Sequence, residues 1–213
     1  RASAREAARR LGEAGPAWWM VACASTALGD GSTALEAWRN AGLSPILGAD
    51  GLPVMGGLDP VEVLVSTRTP GPRPVGSGGP AEVVRVQPLS PTHGVILYPT
   101  VLDLAGDVSD TVLFEGTPIG FSQGTPRFVA LAVLATGPVR VLRYAASAPV
   151  EPPAGVTLHP FGPRHGKLAT RLDDATLRAV LPEALVVPEL HAGRPTGASV
   201  RRRYAHLLDA PIS

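Results

Sequence analysis

The chain has 213 residues, of which 45% are hydrophobic and only 17% charged, with a formal net charge of +1. That size and apolar fraction allow a real core and exclude a disordered polyampholyte; 24 Gly and 23 Pro without a triplet period exclude collagen and break the chain too often for long helices. One cysteine, Cys23, excludes an intrachain disulfide and a cysteine-based zinc cluster, and no uncharged apolar run reaches the roughly 18 residues of a membrane span.

Residues 1–14 read as an amphipathic helix, with Ala4, Ala7, Ala8 and Leu11 on one stripe and the arginines opposite, ending at Gly15-Pro16. Arg1, Arg5, Arg9 and Arg10 are not followed by a long apolar core, because Ser25 and Thr26 interrupt the stretch after Trp18, so no secretory signal is expected. The first residue is Arg rather than Met, which reads as a processed product or a piece of something longer. Trp18 to Ala27 fits a buried strand or a buried helix equally. Thr33 starts a short helix with Glu36 in capping-box spacing, and Gly42 suits its stop. Trp18, Trp19 and Trp38 are expected to anchor these helices onto a sheet.

Residues 43–60 read as loop, and 69–80 (TPGPRPVGSGGP) as a linker or long exposed loop. Short runs rich in β-branched residues follow: Val61–Val65, Glu82–Val86, Val95–Tyr98, Thr111–Phe114, Phe128–Leu134 and Val139–Tyr144. With no long helices between them, antiparallel pairing is expected. RFVALAVLATGPVRVLRY reads as a hairpin turning at Thr136-Gly137-Pro138, or as a helix starting at Thr125-Pro126; the hairpin is preferred. Asp173 and Asp174 suit the start of a helix through Leu177, Val180 and Leu181, limited by Pro182. A last helix is expected over Ala198–Leu208. The fold expected is a single α+β domain over 1–213, a mainly antiparallel sheet with short helices at both ends.

The most specific local motif is Gly120-Phe121-Ser122-Gln123-Gly124, which fits G-x-S-x-G. The run from Ile119 to Ala130 resembles the nucleophile elbow of α/β-hydrolases, esterases and thioesterases. The resemblance implies Ser122 as nucleophile and the Gln123 amide as oxyanion donor, with Asp173 or Asp174 and His191 or His206 completing a triad. It requires a helix after Ser122; a strand there makes the motif a glycine-rich hairpin.

His93, His159, His165, His191 and His206 lack metal-ligand spacing, and His159 with His165 across a turn wants a third ligand. Asp103, Asp107 and Asp110 around Gly106 read as a solvated turn rather than a calcium loop. Gly76-Ser77-Gly78-Gly79 is not a phosphate loop, since no Lys-Ser/Thr follows. No cofactor and no metal are expected.

Basic residues are 18 Arg and one Lys, Lys167. Arg194 with Arg201, Arg202 and Arg203 could line a nucleic-acid backbone or pair with acids of a neighbouring subunit. The low charge and a mean hydropathy of +0.16 leave little ionic cover for an isolated globule. The chain therefore reads as a soluble structural protein, a subunit of a homo-oligomeric or shell-like assembly contacting copies of itself or a larger partner. The alternatives are a serine acyl hydrolase at Ser122 and a nucleic-acid-binding module at the arginine cluster.

Overall fold

The computed structural model describes residues 16–66, 80–102 and 104–191. The helices expected over 1–14 and 198–208 lie outside the described residues, as do nearly all of the 69–80 linker, Asp103, Arg194, Arg201, Arg202, Arg203 and His206. The fold is α+β with a β-dominated core. The chain divides into two compact units between Arg140 and Val141.

The first unit opens with two helices, α1 (Pro16–Ala27) and α2 (Gly31–Asn40). Pro16 stands in the first turn of α1, where a missing N–H costs nothing. Asp30, not Thr33, caps α2: its carboxylate accepts from the Thr33 amide at 3.1 Å. Gly42, at φ +85°, follows the helix end in the left-handed conformation glycine tolerates. The Trp19 and Trp38 rings meet edge to face at 4.7 Å. Trp19 also lies over the loop after the fourth barrel strand, where a Cβ on Gly116 would fall 1.9 Å from the indole Nε1. Trp19 and Trp38 thus join helix to helix, and Trp19 reaches the Gly116 loop.

A two-stranded ribbon, β1 (Ile46–Leu47) and β2 (Pro53–Val54), interrupts the stretch read as loop. Six strands follow: β3 (Val61–Ser66), β4 (Ala81–Ser90), β5 (His93–Ile96), β6 (Thr111–Phe114), β7 (Gly120–Ser122) and β8 (Thr125–Ala135). Strands β3, β4, β5, β6 and β8 pair antiparallel in succession, and β8 returns to β3 in parallel, which closes a barrel-like sheet. The period-2 alternation of β3 explains its orientation: Val61, Val63 and Val65 point inward, while Glu62 and Leu64 point outward. Val84, Val86, Ile96, Val112 and Phe114 complete the core. Burial of each such side chain stabilises by about 1.5–3 kcal/mol.

The second unit holds β9 (Arg140–Ala146), β10 (Val156–Gly162), β11 (His165–Thr170) and β12 (Leu185–Val186), in the order β10-β11-β9-β12. Helix α3 (Asp174–Val180) starts where the two aspartates suggest, with the Asp173 carboxylate accepting from the Thr176 amide at 2.8 Å. A short turn of helix, α4, spans Pro188–His191. Tyr144, Val156, Leu168, Leu177, Leu185 and Leu190 form this unit's own core.

The segment 125–135 is a strand, but the expected hairpin does not form: β8 and β9 belong to different sheets. The reason is that β8 already has β3 along one side, and β7 and β6 along the other. The connector is instead tied to the 107–110 loop, with the Gly137 amide on Asp110 Oδ1 (2.9 Å) and the Val139 amide on Ser109 Oγ (3.2 Å).

Candidate functional site

The G-x-S-x-G pentapeptide forms the β7–β8 hairpin. Ser122 faces Thr125, Phe121 faces Pro126 and Gly120 faces Arg127. Gln123 (φ +49°) and Gly124 (φ +82°) make the two-residue turn, and two positive φ values in succession are the type I′ geometry that matches strand twist. A strand, not a helix, follows Ser122. The Ser122 hydroxyl has no side-chain partner among the described residues, so neither acid nor histidine is aligned with it there. Asp173 is occupied as the α3 cap.

The chemistry of this hairpin is apolar. Phe121 is 71% exposed and Ile119 50%. Between Glu115 and Arg127 no residue carries a charge. Arg127 is turned sideways to Glu62 on the neighbouring β3, with Nε at 2.9 Å and Nη2 at 2.7 Å from one carboxylate oxygen. Partly exposed on both sides, that pair is worth about 1 kcal/mol or less. Tyr98, Val101 and Leu102 form a second exposed apolar group on the loop after β5. Glu82 fastens that loop by accepting the Val101 and Leu102 amides at 2.9–3.0 Å.

The β4–β5 hairpin of the same sheet, also closed by a two-residue turn, holds a polar pair that no sequence motif marks. Ser90 Oγ and His93 Nδ1 lie 2.6 Å apart, and both residues are fully buried. Ser90 Oγ also accepts from the Thr92 amide at 3.3 Å. Its own proton is then free for Nδ1, which places the imidazole proton on Nε2. His93 Nε2 and Thr92 Oγ1 are buried without a hydrogen-bond partner among the described residues. Burial pushes the His93 pKa down, and Asp50 pulls weakly the other way. A serine–histidine contact is nucleophile–base chemistry in kind. Shut away from solvent, it ties the two ends of the β4–β5 turn to each other. Nothing in the sequence links Ser90 to His93, because it is the Pro91-Thr92 turn that brings them together.

The remaining sequence candidates are dispersed. Asp107 and Asp110 accept backbone amides of Thr100, Val108, Asp107 and Gly137, so their carboxylates organise a loop. His159 faces Lys167 and His165 faces Gly162 on the β10–β11 hairpin. No group of three His, Cys, Asp or Glu able to hold a metal ion occurs among the described residues. Burial, with Glu115 nearby, raises the Cys23 thiol pKa and keeps it protonated. Among the described residues no helix is long and apolar enough to cross a membrane.

No family model and no curated protein matches the chain. A crystal structure described as that of a hypothetical protein from Neisseria gonorrhoeae is similar to it over 70% of this chain and 87% of that one, at 7% identity and a TM-score of 0.34. A likeness at that score carries no argument about fold or function.

Proposed function

We propose that the protein is a structural subunit that associates with copies of itself. The supporting observation is the inverted hairpin of the first unit, which turns Ile119 and Phe121 to solvent on a segment without charge. Single exposed apolar residues are ordinary, but neighbouring ones on a charge-poor surface mark interaction sites. The exposed Tyr98, Val101 and Leu102 loop adds to the same reading. A chain with 17% charged residues also has little self-repulsion to hold copies apart. Native mass spectrometry of the purified protein at micromolar concentration is the test. Dimers or larger species are expected; a monomer alone would remove the proposal.

A further inference from the structure

We infer that the β4–β5 turn encloses a site for one bound water molecule, held between His93 Nε2 and Thr92 Oγ1.

Among the described residues, three buried side-chain polar atoms lack a hydrogen-bond partner. Two of them, Thr92 Oγ1 and His93 Nε2, belong to consecutive residues of this one turn. Both residues are 0% exposed, so bulk solvent does not serve them. Their main chains are engaged elsewhere: the Thr92 carbonyl accepts from the Phe114 amide at 2.8 Å, and His93 pairs with Leu113 across the sheet. Stranding two such groups in a dry core costs more than ordering one water between them. A buried water needs at least two polar partners, and a ring N–H beside a hydroxyl supplies them.

The chemistry of the two atoms selects the occupant. Ser90 Oγ donates to Nδ1, so Nε2 carries the ring proton and is a donor. A ring nitrogen in that state has no lone pair to give a metal ion. The occupant must therefore accept a hydrogen bond. An anion could do so, but the negative charge of Asp50 already acts on His93 and opposes a second one in a dry site. A neutral acceptor that can also donate, here to Thr92 Oγ1, is water. The outcome is one directed circuit: Thr92 N–H to Ser90 Oγ, Ser90 O–H to Nδ1, Nε2–H to water, and water to Thr92 Oγ1. Each link polarises the next. The circuit begins and ends on Thr92, so the turn serves these groups without help from another element.

The test is a high-resolution crystal structure of the full chain, joined to nitrogen-15 NMR of the same protein in solution. The crystal structure should show an ordered water within hydrogen-bonding distance of both atoms. The NMR spectra should place the ring proton on Nε2, with His93→Gln identifying the resonance among the five histidines by its loss. Thr92→Val replaces the hydroxyl by a methyl and should lose the water while the ring proton stays on Nε2. Both wild-type measurements stand whether or not a variant folds. A His93 Nε2 bonded directly to a protein group overturns the site, as does a ring proton on Nδ1. A water of undiminished occupancy in Thr92→Val also overturns it, since Thr92 would then hold nothing. Self-association is untouched by any of these results.

Discussion

The barrel-like sheet carries two hairpins with two-residue turns, and they are built inside out relative to one another. The β4–β5 hairpin buries a polar set, Ser90, Thr92 and His93, under complete cover. The β7–β8 hairpin exposes an apolar one, Ile119 and Phe121. Of the polar groups this hairpin buries, Ser90 serves His93 Nδ1 and the Thr92 amide, while His93 Nε2 and Thr92 Oγ1 stay without a hydrogen-bond partner among the described residues. A hairpin that exposes apolar groups gains nothing from its own fold for doing so. The first hairpin is closed to solvent, and the second presents its apolar side chains to it.

Four changes would break or sharpen this contrast. The largest effect is expected at glycine. A Cβ on Gly94 of β5 would fall 2.4 Å from Gln87 O and 2.8 Å from Pro88 Cα, backbone atoms that cannot step aside. Gly94→Ala should cost about 3 kcal/mol in denaturant unfolding. Gly120 of β7 has nothing within 4 Å of that position, and Gly120→Ala should stay within about 0.5 kcal/mol. Equal losses would remove the contrast.

Next in size is Ser90→Ala, which strands a buried Nδ1 and a buried amide; about 2 kcal/mol of stability should go, read from the thermal or urea midpoint. Ser122→Ala on the exposed hairpin should change the midpoint little.

The third is a pH effect. The His93 pKa is lowered on folding, so the unfolded chain takes the proton first. Its contribution is present above the unfolded value of about 6.5 and is lost as pH falls below it, with a slope of up to about 1.4 kcal/mol per pH unit. Of the charged groups on elements around His93, Asp50 opposes this shift; Arg85, on β4, is exposed. Urea titrations from neutral to mildly acid pH should show this limb in wild type and a flatter one in His93→Gln. Identical limbs would mean that His93 takes up no less proton folded than unfolded.

The smallest effect is a gain. Gln123 holds φ +49° at the turn, a conformation asparagine tolerates better, and Asn-Gly suits this turn type. Gln123→Asn should stabilise by about 0.5 kcal/mol. A loss would argue against the turn geometry.

Local chemistry was readable wherever it was repeated along the chain. The alternation of Val61, Val63 and Val65 marked β3, and Thr111–Phe114 marked β6 to the residue. Asp173 and Pro182 bracketed α3 correctly. What escaped was what depends on distant partners. The parallel β3–β8 pairing joins Glu62 to Arg127, and no periodicity records a contact across 65 positions. The same saturation of β8 sent Val139–Tyr144 to another sheet. Strands β10 and β11 were hidden by Pro160, Gly162 and their histidines; proline is tolerated because β10 is an edge strand. At the candidate site, the pentapeptide was legible as a motif, but whether it sat before a helix or a strand hung on Phe128–Leu134, whose apolar run fits both. Ser90 and His93 were legible only as separate residues, since their contact is made by the turn.

The central claim is that the charge-poor surface of this chain is covered by other copies of it. Sedimentation velocity over a dilution series of wild-type protein measures this directly. A boundary that moves from dimer or larger toward the 22.0 kDa monomer on dilution is the predicted result. One monomeric species at every concentration would contradict it.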